Sequence, residues 1–393
     1  MKKYFFDTRA VRKGLVSVAA LLAATSIATA SESVSVYGFV QLNTVWEDGV
    51  ASTTARNWSF VAPSGNDKGG SRTLLNVNHS RFGLNLNGPQ AEGAPELSGR
   101  FETDFNNSNG RNSNGFDGFR IRQAFGQVKF SDLGLTLLFG QTGEVFSPRD
   151  PAILSEGTFN YVGNIGTRRP QIRITQVIGP IEAAVAALDD RGATVPEVPA
   201  VQGRVGAKIP AGWAGEKQNL ELGVSGHFAK EKNTDTTENQ PYVKLPKSWS
   251  INADLSLPVI SILSLSGEFF YGQNLRNYSN GSIGLTRTAT ITEIDGIKSV
   301  GGWANLGVKL PANLTFNGGG GLESISNDDK LKPGRPSSNS GIYTNLRYNF
   351  TPSAFLGVEY FRIDTDYTNA ADDAKTPSGA INRVELAFQY AFK

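Results

Sequence analysis

Residues 382–393 read Asn-Arg-Val-Glu-Leu-Ala-Phe-Gln-Tyr-Ala-Phe-Lys and alternate between two kinds of side chain. One set is Val384, Leu386, Phe388, Tyr390 and Phe392, and the set between them includes Arg383, Glu385 and Gln389. Successive side chains of a strand point to opposite faces, so this stretch predicts a strand with one apolar face and one polar face. A soluble β-sandwich strand has the same period. A length of about ten residues with an aromatic end favours a tilted strand that crosses a bilayer.

The first part of the chain, residues 1–30, has a different character. It has a basic head (Lys2, Lys3, Arg9, Arg12 and Lys13), an apolar core, and Ala28-Thr29-Ala30 before Ser31. This order is typical of a secretory signal peptide, and a membrane helix is disfavoured because ~14 apolar residues are fewer than the ~20 that a span requires. Five of the 38 Lys and Arg lie here, against one of the 36 Asp and Glu, so the remaining chain is slightly acidic. No nucleic-acid partner is indicated.

Composition limits the remaining 363 residues, 31–393, to a few classes of protein. No later segment has about 18 consecutive apolar residues, which argues against a membrane helix. Cysteine is absent, so an exported chain of this kind has no disulfide framework. No linker or shift in composition marks a boundary, and we therefore predict a single domain over residues 31–393.

The connections between the alternating segments are short and long in turn. Short ones lie near residues 87–96, 131–134, 178–181, 210–219, 257–263, 310–314 and 349–355, and long ones near 47–71, 106–117, 143–170, 189–200, 230–247, 273–298, 326–340 and 365–379. Short periplasmic turns opposite long extracellular loops are typical of outer-membrane barrels. We therefore predict an all-β, transmembrane antiparallel β-barrel of about 16 strands, which is wide enough for an aqueous channel.

Charged side chains on the polar faces of the early strands are the candidate pore lining. In residues 80–87, for example, Phe82, Leu84 and Leu86 form the apolar face, which turns Arg81 inward. The same reasoning predicts that Arg81, Arg100, Arg120, Arg122, Arg173, Glu102 and Asp104 all point inward. Because guanidinium groups bind carboxylates in a bidentate manner, a patch of them indicates a preference for anions. The alternative is ordinary wall charge balanced by Glu102 and Asp104.

The connection 143–170 is the longest loop and the candidate constriction. It contains Phe146, Phe159 and Tyr161, and both signs of charge: Glu144, Asp150, Glu156, Arg149, Arg168 and Arg169. Loops of this length are usually functional or disordered, and the aromatic residues favour an ordered loop. Folded inward, its acids would face the wall arginines across the pore and contribute to selectivity. The alternative is an outward loop that packs on its neighbours.

Several of these segments resemble a known family. Residues 37–43 (Tyr-Gly-Phe-Val-Gln-Leu-Asn), 101–105 (Phe-Glu-Thr-Asp-Phe), 139–142 (Phe-Gly-Gln-Thr) and 167–173 (Thr-Arg-Arg-Pro-Gln-Ile-Arg) are similar to the trimeric outer-membrane porins, in particular the DcaP-like family. The resemblance covers residues 37–175. It implies a homotrimer of barrels with a constricting third loop that admits small anions such as dicarboxylates. It also implies that the aromatic Phe392 is read by the barrel assembly machinery.

The sequence thus predicts a porin of the Gram-negative outer membrane, with membrane lipids and small hydrophilic solutes as its partners. It indicates no enzyme, no cofactor and no metal site. His79 and Ser80 are adjacent, so on one strand they would point to opposite faces and would not form a catalytic pair.

Two other functions remain open at this point. A sugar-selective channel is favoured by Trp303, Phe270 and Phe361, which lie on predicted polar faces. An adhesin or scaffold that displays its long loops is the second alternative.

Overall fold

The computed structural model describes residues 32–48, 70–89, 91–107, 118–154, 159, 162–189, 194–196, 198–233, 247–275, 278, 296–326, 334, 336–368 and 378–393. Two sequence predictions lie outside these residues, namely the signal peptide over 1–30 and the position of Glu156. Within the described residues, no helix has the length and hydropathy that crossing a membrane requires.

Strands account for most of the described chain. They are β1 (Ser33–Glu47), β2 (Arg72–Asn76), β3 (Arg81–Asn87), β4 (Glu96–Asn107), β5 (Gly118–Phe130), β6 (Leu135–Gly143), β7 (Arg168–Ile178), β8 (Ile181–Leu188), β9 (Thr194–Pro196), β10 (Ala200–Pro210), β11 (Asn219–Ala229), β12 (Glu231–Asn233), β13 (Ser248–Ile260), β14 (Leu263–Gln273), β15 (Lys298–Lys309), β16 (Leu314–Ile325), β17 (Pro336–Thr351), β18 (Ala354–Tyr367) and β19 (Ser378–Phe392). A 3-10 turn, Ser131–Leu133, joins β5 to β6.

These strands close into a barrel. Seventeen of them form one antiparallel sheet, and β1 pairs with β19 from Gly38↔Phe392 to Glu47↔Arg383, which joins the two ends of the chain. Strands β2 and β3 both pair with β1 and share one position, so the described strands occupy sixteen positions around the barrel. The short strands β9 and β12 pair with each other outside it. The predicted all-β antiparallel barrel is confirmed.

Side chains alternate between the outside and the inside of this barrel. On β19 the apolar Val384, Leu386 and Phe388 are exposed on the outer surface, whereas Arg383 and Glu385 are buried inside. The predicted two faces of residues 382–393 are therefore confirmed. Closure also satisfies the backbone, because an unpaired N–H or C=O group in hydrocarbon costs several kcal/mol.

The connections follow the predicted order of lengths. Short ones join the strands at one end of the barrel, at residues 88–95, 131–134, 179–180, 211–218, 261–262, 310–313 and 352–353. Gly134 and Gly179 have φ values of 62° and 57° in two of these turns, a left-handed conformation that glycine adopts without strain. We take this end as periplasmic, in keeping with the general rule for such barrels.

One interruption in the wall matters for the site. Between β2 and β3 the ladder to β1 is broken over residues 77–80, and the Ser80 hydroxyl replaces the missing partner. Its Oγ accepts a hydrogen bond from Gln41 N at 2.9 Å and lies 3.3 Å from Gln41 O, to which it donates. The break leaves His79 facing the lumen, where it lines the cavity described below.

Candidate functional site

The connection from β6 to β7 enters the barrel. We call residues 144–167 the inner loop; the structure describes 144–154, 159 and 162–167 of it. The loop leaves the wall at the Gly143↔Arg168 pair and crosses to inward-facing side chains of β11 and β13–β18 on the far wall. The described part of the loop is therefore folded into the lumen.

The first attachment of the inner loop is at Phe146. Its carbonyl oxygen accepts hydrogen bonds from Ser225 Oγ on β11 at 2.7 Å and from Asn252 Nδ2 on β13 at 2.9 Å. Its ring packs edge-on against the rings of His227 and Tyr278, with centroids 5.1 and 6.0 Å away. Both backbone and side chain thus fix this position.

The second attachment is built around Arg149. Its backbone N–H donates to Glu268 Oε1 at 2.7 Å, and the neighbouring Ser147 hydroxyl donates to the other oxygen of Glu268. The guanidinium Nε donates to Asp254 Oδ1 at 2.9 Å, and Nη2 lies 3.4 Å from Glu221 Oε2. Carboxylates of the far wall therefore bind the loop from behind, on the side away from the early strands.

The third attachment lies near Leu154. Its backbone N–H donates to Glu359 Oε2 at 2.8 Å, and its carbonyl accepts from Gln41 Nε2 at 2.9 Å. Two residues earlier, the carbonyl of Ala152 accepts from Asn345 Nδ2 at 2.8 Å. The leucine side chain packs with Phe355 and Ala387. The loop is thus held from β17 round to β1.

An apolar cluster inside the barrel completes the attachment. It consists of Phe159 and Val162 from the loop with Trp303, Tyr343, Phe361, Ile363 and Ile381 from the wall. Glycines let the loop approach so closely: a Cβ at Gly321 would overlap the carbonyl oxygen of Val162, and one at Gly163 would overlap that of Gly302. Gly163 also has φ +86°.

This cluster corrects the sequence interpretation of the inward aromatics. Trp303, Phe361 and Phe270 have exposures of 4%, 0% and 1%. Trp303 and Phe361 pack with the inner loop in the apolar cluster, and Phe270 belongs to a second buried cluster with Phe146. Since none of the three faces open lumen, they do not form the aromatic lining that a sugar-selective channel would use.

The open space lies between the inner loop and the early strands. It is a cavity of about 580 Å³. Charged residues that line it are Arg81, Arg100, Arg122, Arg168, Arg173, Glu102, Glu144 and Asp150. Five guanidinium groups therefore face three carboxylates, and His79 lies among them. The lining is net positive even if the histidine is neutral, which suits an anion in a confined space.

Arg122 is the most tightly held of these arginines. Its Nε donates to Glu102 Oε1 at 2.8 Å and its Nη1 to Asp104 Oδ2 at 2.9 Å. The register between β4 and β5 shifts at this point, from Glu102↔Gln123 to Thr103↔Ile121. This bulge puts both Arg122 and Gln123 in the lining of the cavity. With about 7% of its side chain exposed, Arg122 is largely neutralised by its partners.

Arg100 and Arg81 are held differently. Arg100 is exposed, donates through Nε to Asn85 Oδ1 at 3.0 Å, and has its Cζ 5.3 Å from the ring centroid of Tyr37. In the described part of the chain it has no carboxylate partner. The Cζ of Arg81 is 5.4 Å from the ring centroid of Phe39, and its Nη2 is 3.4 Å from His79 Nε2. The planar face of Arg100 is thus covered, which leaves its edge for a solute.

The other predicted arginines separate into two groups. Arg168 and Arg173 line the cavity, and Arg173 donates to the carbonyl of Gly143 and to Gln171 Oε1. Arg120 and Arg169 do not line it. Arg120 forms a bidentate pair with Asp104, and Arg169 binds Glu144 at 2.6 Å and stacks over Tyr278. Arg120 does lie beside Arg122, because both donate to Asp104 Oδ2, but it contributes to the wall and not to the lining of the cavity.

The predicted acids of the loop are also unequal. Asp150 lines the cavity, with Asn164 Nδ2 at 3.4 Å from its Oδ1. Glu144 is buried at the base of the loop and binds Arg169 and Gln202. Burial raises the pKa of the Glu144 carboxyl above its usual range, and the Arg169 guanidinium opposes this shift. Glu144 therefore forms a structural ion pair with Arg169. The carboxylates that hydrogen-bond to the inner loop from across the barrel are those of the far wall.

Two residues near the pore were missed in the sequence. His79 was considered only as a catalytic partner of Ser80, and the strand break that exposes it to the lumen has no clear signal in the sequence. Arg347 lies on the polar face of β17 between the exposed Leu346 and Tyr348. The alternation of residues 342–348 predicts its inward direction, so the same reasoning would have found it.

Comparison with known proteins agrees with this architecture. No protein-family model and no curated protein sequence matches the chain. Among solved structures, the outer membrane channel DcaP of Acinetobacter baumannii superposes with a TM-score of 0.74 at 19% identity, covering 94% of this chain and 100% of its own. The chain has the fold of the outer-membrane porins.

Two further structures share the porin fold at lower similarity. An anion-selective porin from Comamonas acidovorans has a TM-score of 0.60 at 14% identity, covering 92% of this chain and 100% of its own. Salmonella typhi OmpF, in complex with daunomycin, has a TM-score of 0.60 at 12% identity, covering 94% and 100%. At these identities the likeness concerns the fold alone.

Proposed function

We propose that the protein is a passive diffusion porin of the Gram-negative outer membrane that prefers small anionic solutes such as dicarboxylates. The observation that carries the proposal is the 580 Å³ cavity, whose lining has five arginines and three carboxylates. No covalent chemistry or energy input is involved. The inner loop acts as the constriction, and the residues behind it hold it in the lumen.

The arginines that would bind the anionic solute are those that line the cavity and have no strong carboxylate partner. Arg100 presents the edge of its guanidinium group, and Arg173 is bound to neutral oxygens. A dicarboxylate with one carboxylate near each group would form charge-assisted hydrogen bonds at both ends. Arg122 and Glu102 shape the wall between them, and Asp150 supplies the opposing charge on the inner loop.

The remaining parts of the proposal rest on the fold and the sequence pattern. A signal peptide over residues 1–30 would export the chain, and the barrel assembly machinery would recognise the strand that ends at Phe392. Membrane lipids would cover the apolar outer surface. The porin fold supports assembly as a homotrimer.

The first expected result is anion selectivity. In planar bilayers with a KCl gradient, the reversal potential of the wild-type protein should have the sign that corresponds to a higher permeability for Cl⁻ than for K⁺. Arg100→Gln should lower the Cl⁻ to K⁺ permeability ratio about two- to fivefold. This magnitude follows because one unit charge a few ångströms from an ion in water is worth ~1 kcal/mol. Arg100→Gln should also slow a dicarboxylate more than a neutral sugar. Cation selectivity of the wild type would contradict the proposal, and electrically silent bilayers would favour a scaffold.

A second expected result separates this proposal from a sugar-selective channel. Trp303→Phe should leave the swelling rate of proteoliposomes in a neutral disaccharide unchanged, because the tryptophan is buried behind the inner loop. The matched control is Trp213→Phe, which alters an exposed tryptophan in a periplasmic turn. A slower disaccharide flux in Trp303→Phe alone would indicate that the aromatics line the path.

A further inference from the structure

Arg347 occupies the periplasmic side of the inner loop. Along β17 the inward residues Tyr343 and Asn345 both contact the loop, through the ring of Phe159 at 5.0 Å and the carbonyl of Ala152 at 2.8 Å. Arg347 is the next inward position toward the periplasmic turn at 352–353. It lies outside the 580 Å³ cavity.

The tip of the loop reaches the neighbour of this arginine. Arg347 pairs with Gly357 on β18, and a Cβ added to Gly357 would lie 2.6 Å from Leu154 Cδ1. Directly paired positions of adjacent strands are ~5 Å apart at Cβ. Arg347 therefore lies beside the tip of the inner loop, where a solute that has passed the constriction moves toward the periplasm.

The charge of Arg347 has no carboxylate partner in the described part of the chain. Its Cζ is 5.1 Å from the ring centroid of Phe355, and its Nε is buried without a hydrogen-bond partner among the described residues. Its neighbours on β16 and β17 are neutral, namely Thr315 opposite it and Asn349 next along the strand, whereas Glu359 lies diagonally on β18 and accepts from Leu154 N. Three other inward arginines, Arg122, Arg204 and Arg383, each bind a carboxylate.

We propose that Arg347, stacked on Phe355, forms a second anion-binding position on the periplasmic side of the inner loop, for a small carboxylate or an inorganic anion. The ring covers one face of the guanidinium and leaves its in-plane N–H groups for an anion. The inference rests on the proposed function, since it adds a step to the same path.

A second position has a physical purpose in a channel. Conduction requires binding that is favourable enough to admit an ion and weak or multiple enough to release it. An anion that leaves the arginines of the cavity would otherwise meet a wall of neutral amides on β16 and β17. Arg347 adds a positive charge on the wall across from Arg100 and Arg173 and so lowers the barrier to release.

The test uses the full mature protein in planar bilayers, with reversal potentials measured in a KCl gradient. Arg347→Gln should lower the Cl⁻ to K⁺ permeability ratio about two- to fivefold. Arg347→Lys, which keeps the charge, should remain within about twofold of the wild type. The matched control is Arg362→Gln, an arginine of β18 that is on the outer surface and binds Asp364, and this variant should be unchanged.

The outcomes are separable. If Arg347 only packs on Phe355, the Lys and Gln variants should have the same permeability ratio, and equality of Arg347→Gln with Arg362→Gln would overturn the inference. If Arg347→Gln does not fold, two other variants still test the inference. A wild-type Cl⁻ to K⁺ permeability ratio in Phe355→Leu together with a lowered ratio in Arg347→Lys would contradict the inference. If the wild type itself is not anion-selective, the proposed function fails first.

Discussion

A single methyl group at position 321 is expected to displace the inner loop toward the cavity and lower the single-channel conductance. The Cβ of Gly321→Ala would overlap the carbonyl oxygen of Val162 and lie 3.0 Å from the ring of Phe159. Overpacking of this kind costs ~1–3 kcal/mol. The strand is fixed on both sides by β15 and β17, so the loop is the part that moves. Single-channel recordings should show smaller and more variable openings.

Gly318→Ala is the matched control for this experiment. It makes the same change in the same strand, but position 318 is on the outer face, where an added Cβ has its nearest contact at 3.4 Å from the ring of Phe316. The control should keep the wild-type conductance and the same heat-dependent migration in detergent gels. If Gly321→Ala matches Gly318→Ala in conductance, contact with the wall at Val162 does not hold the inner loop in the lumen.

The barrel could be predicted from the sequence because it requires only a simple alternation of apolar and polar side chains along each strand. Lipid outside and water inside impose a period of two on every strand, and residues 382–393 show that period with an apolar face and a polar face. The alternation of short and long connections then assigns the two ends. Both signals are local, so a single sequence suffices.

The inward aromatics were considered as a possible sugar-binding lining because alternation shows which side of the barrel a side chain faces. It does not show which other segment covers that side chain. Trp303 and Phe361 do point into the barrel, as their positions in the sequence indicate. A segment more than 100 residues earlier in the chain covers them, since Phe159 and Val162 of the inner loop complete the cluster. Contacts between segments so distant in sequence leave no local pattern.

The different roles of the arginines were hidden for a related reason. Alternation directs Arg100 and Arg120 inward alike, but the cross-strand register decides which of them meets a carboxylate. Arg120 pairs directly with Asp104, whereas Arg100 pairs with Asn85 on one side. The bulge at Arg122 shifts that register by one residue, and single-sequence strand boundaries are uncertain by more than that.

Arg122→Gln is expected to be the most damaging change in the cavity wall. Arg122 binds Glu102 and Asp104, and the exposed fractions of these three side chains are 7%, 9% and 0%. Removing one partner of a buried ion pair costs ~3–5 kcal/mol, and we expect the lower end of this range because Asp104 keeps its bidentate pair with Arg120 while Glu102 loses its bond from Arg122. Arg100→Gln removes the same formal charge from an exposed side chain with no carboxylate partner among the described residues, and should cost within ~0.5 kcal/mol.

The two variants should also differ in the origin of their loss of selectivity. Arg100→Gln removes a group that binds anions, whereas Arg122→Gln exposes a carboxylate that attracts cations, although Glu102 keeps its bond from the Tyr37 hydroxyl at 3.0 Å. Adding Glu102→Gln to Arg122→Gln should therefore restore most of the anion selectivity, while adding it to Arg100→Gln should not. Urea unfolding in lipid vesicles measures stability, and reversal potentials measure selectivity. The two single variants could instead have equal unfolding midpoints, and Glu102→Gln could fail to restore selectivity. That combined result would show that Arg122 acts like Arg100, as a charge without a carboxylate partner, and not as the centre of a buried ion-pair network.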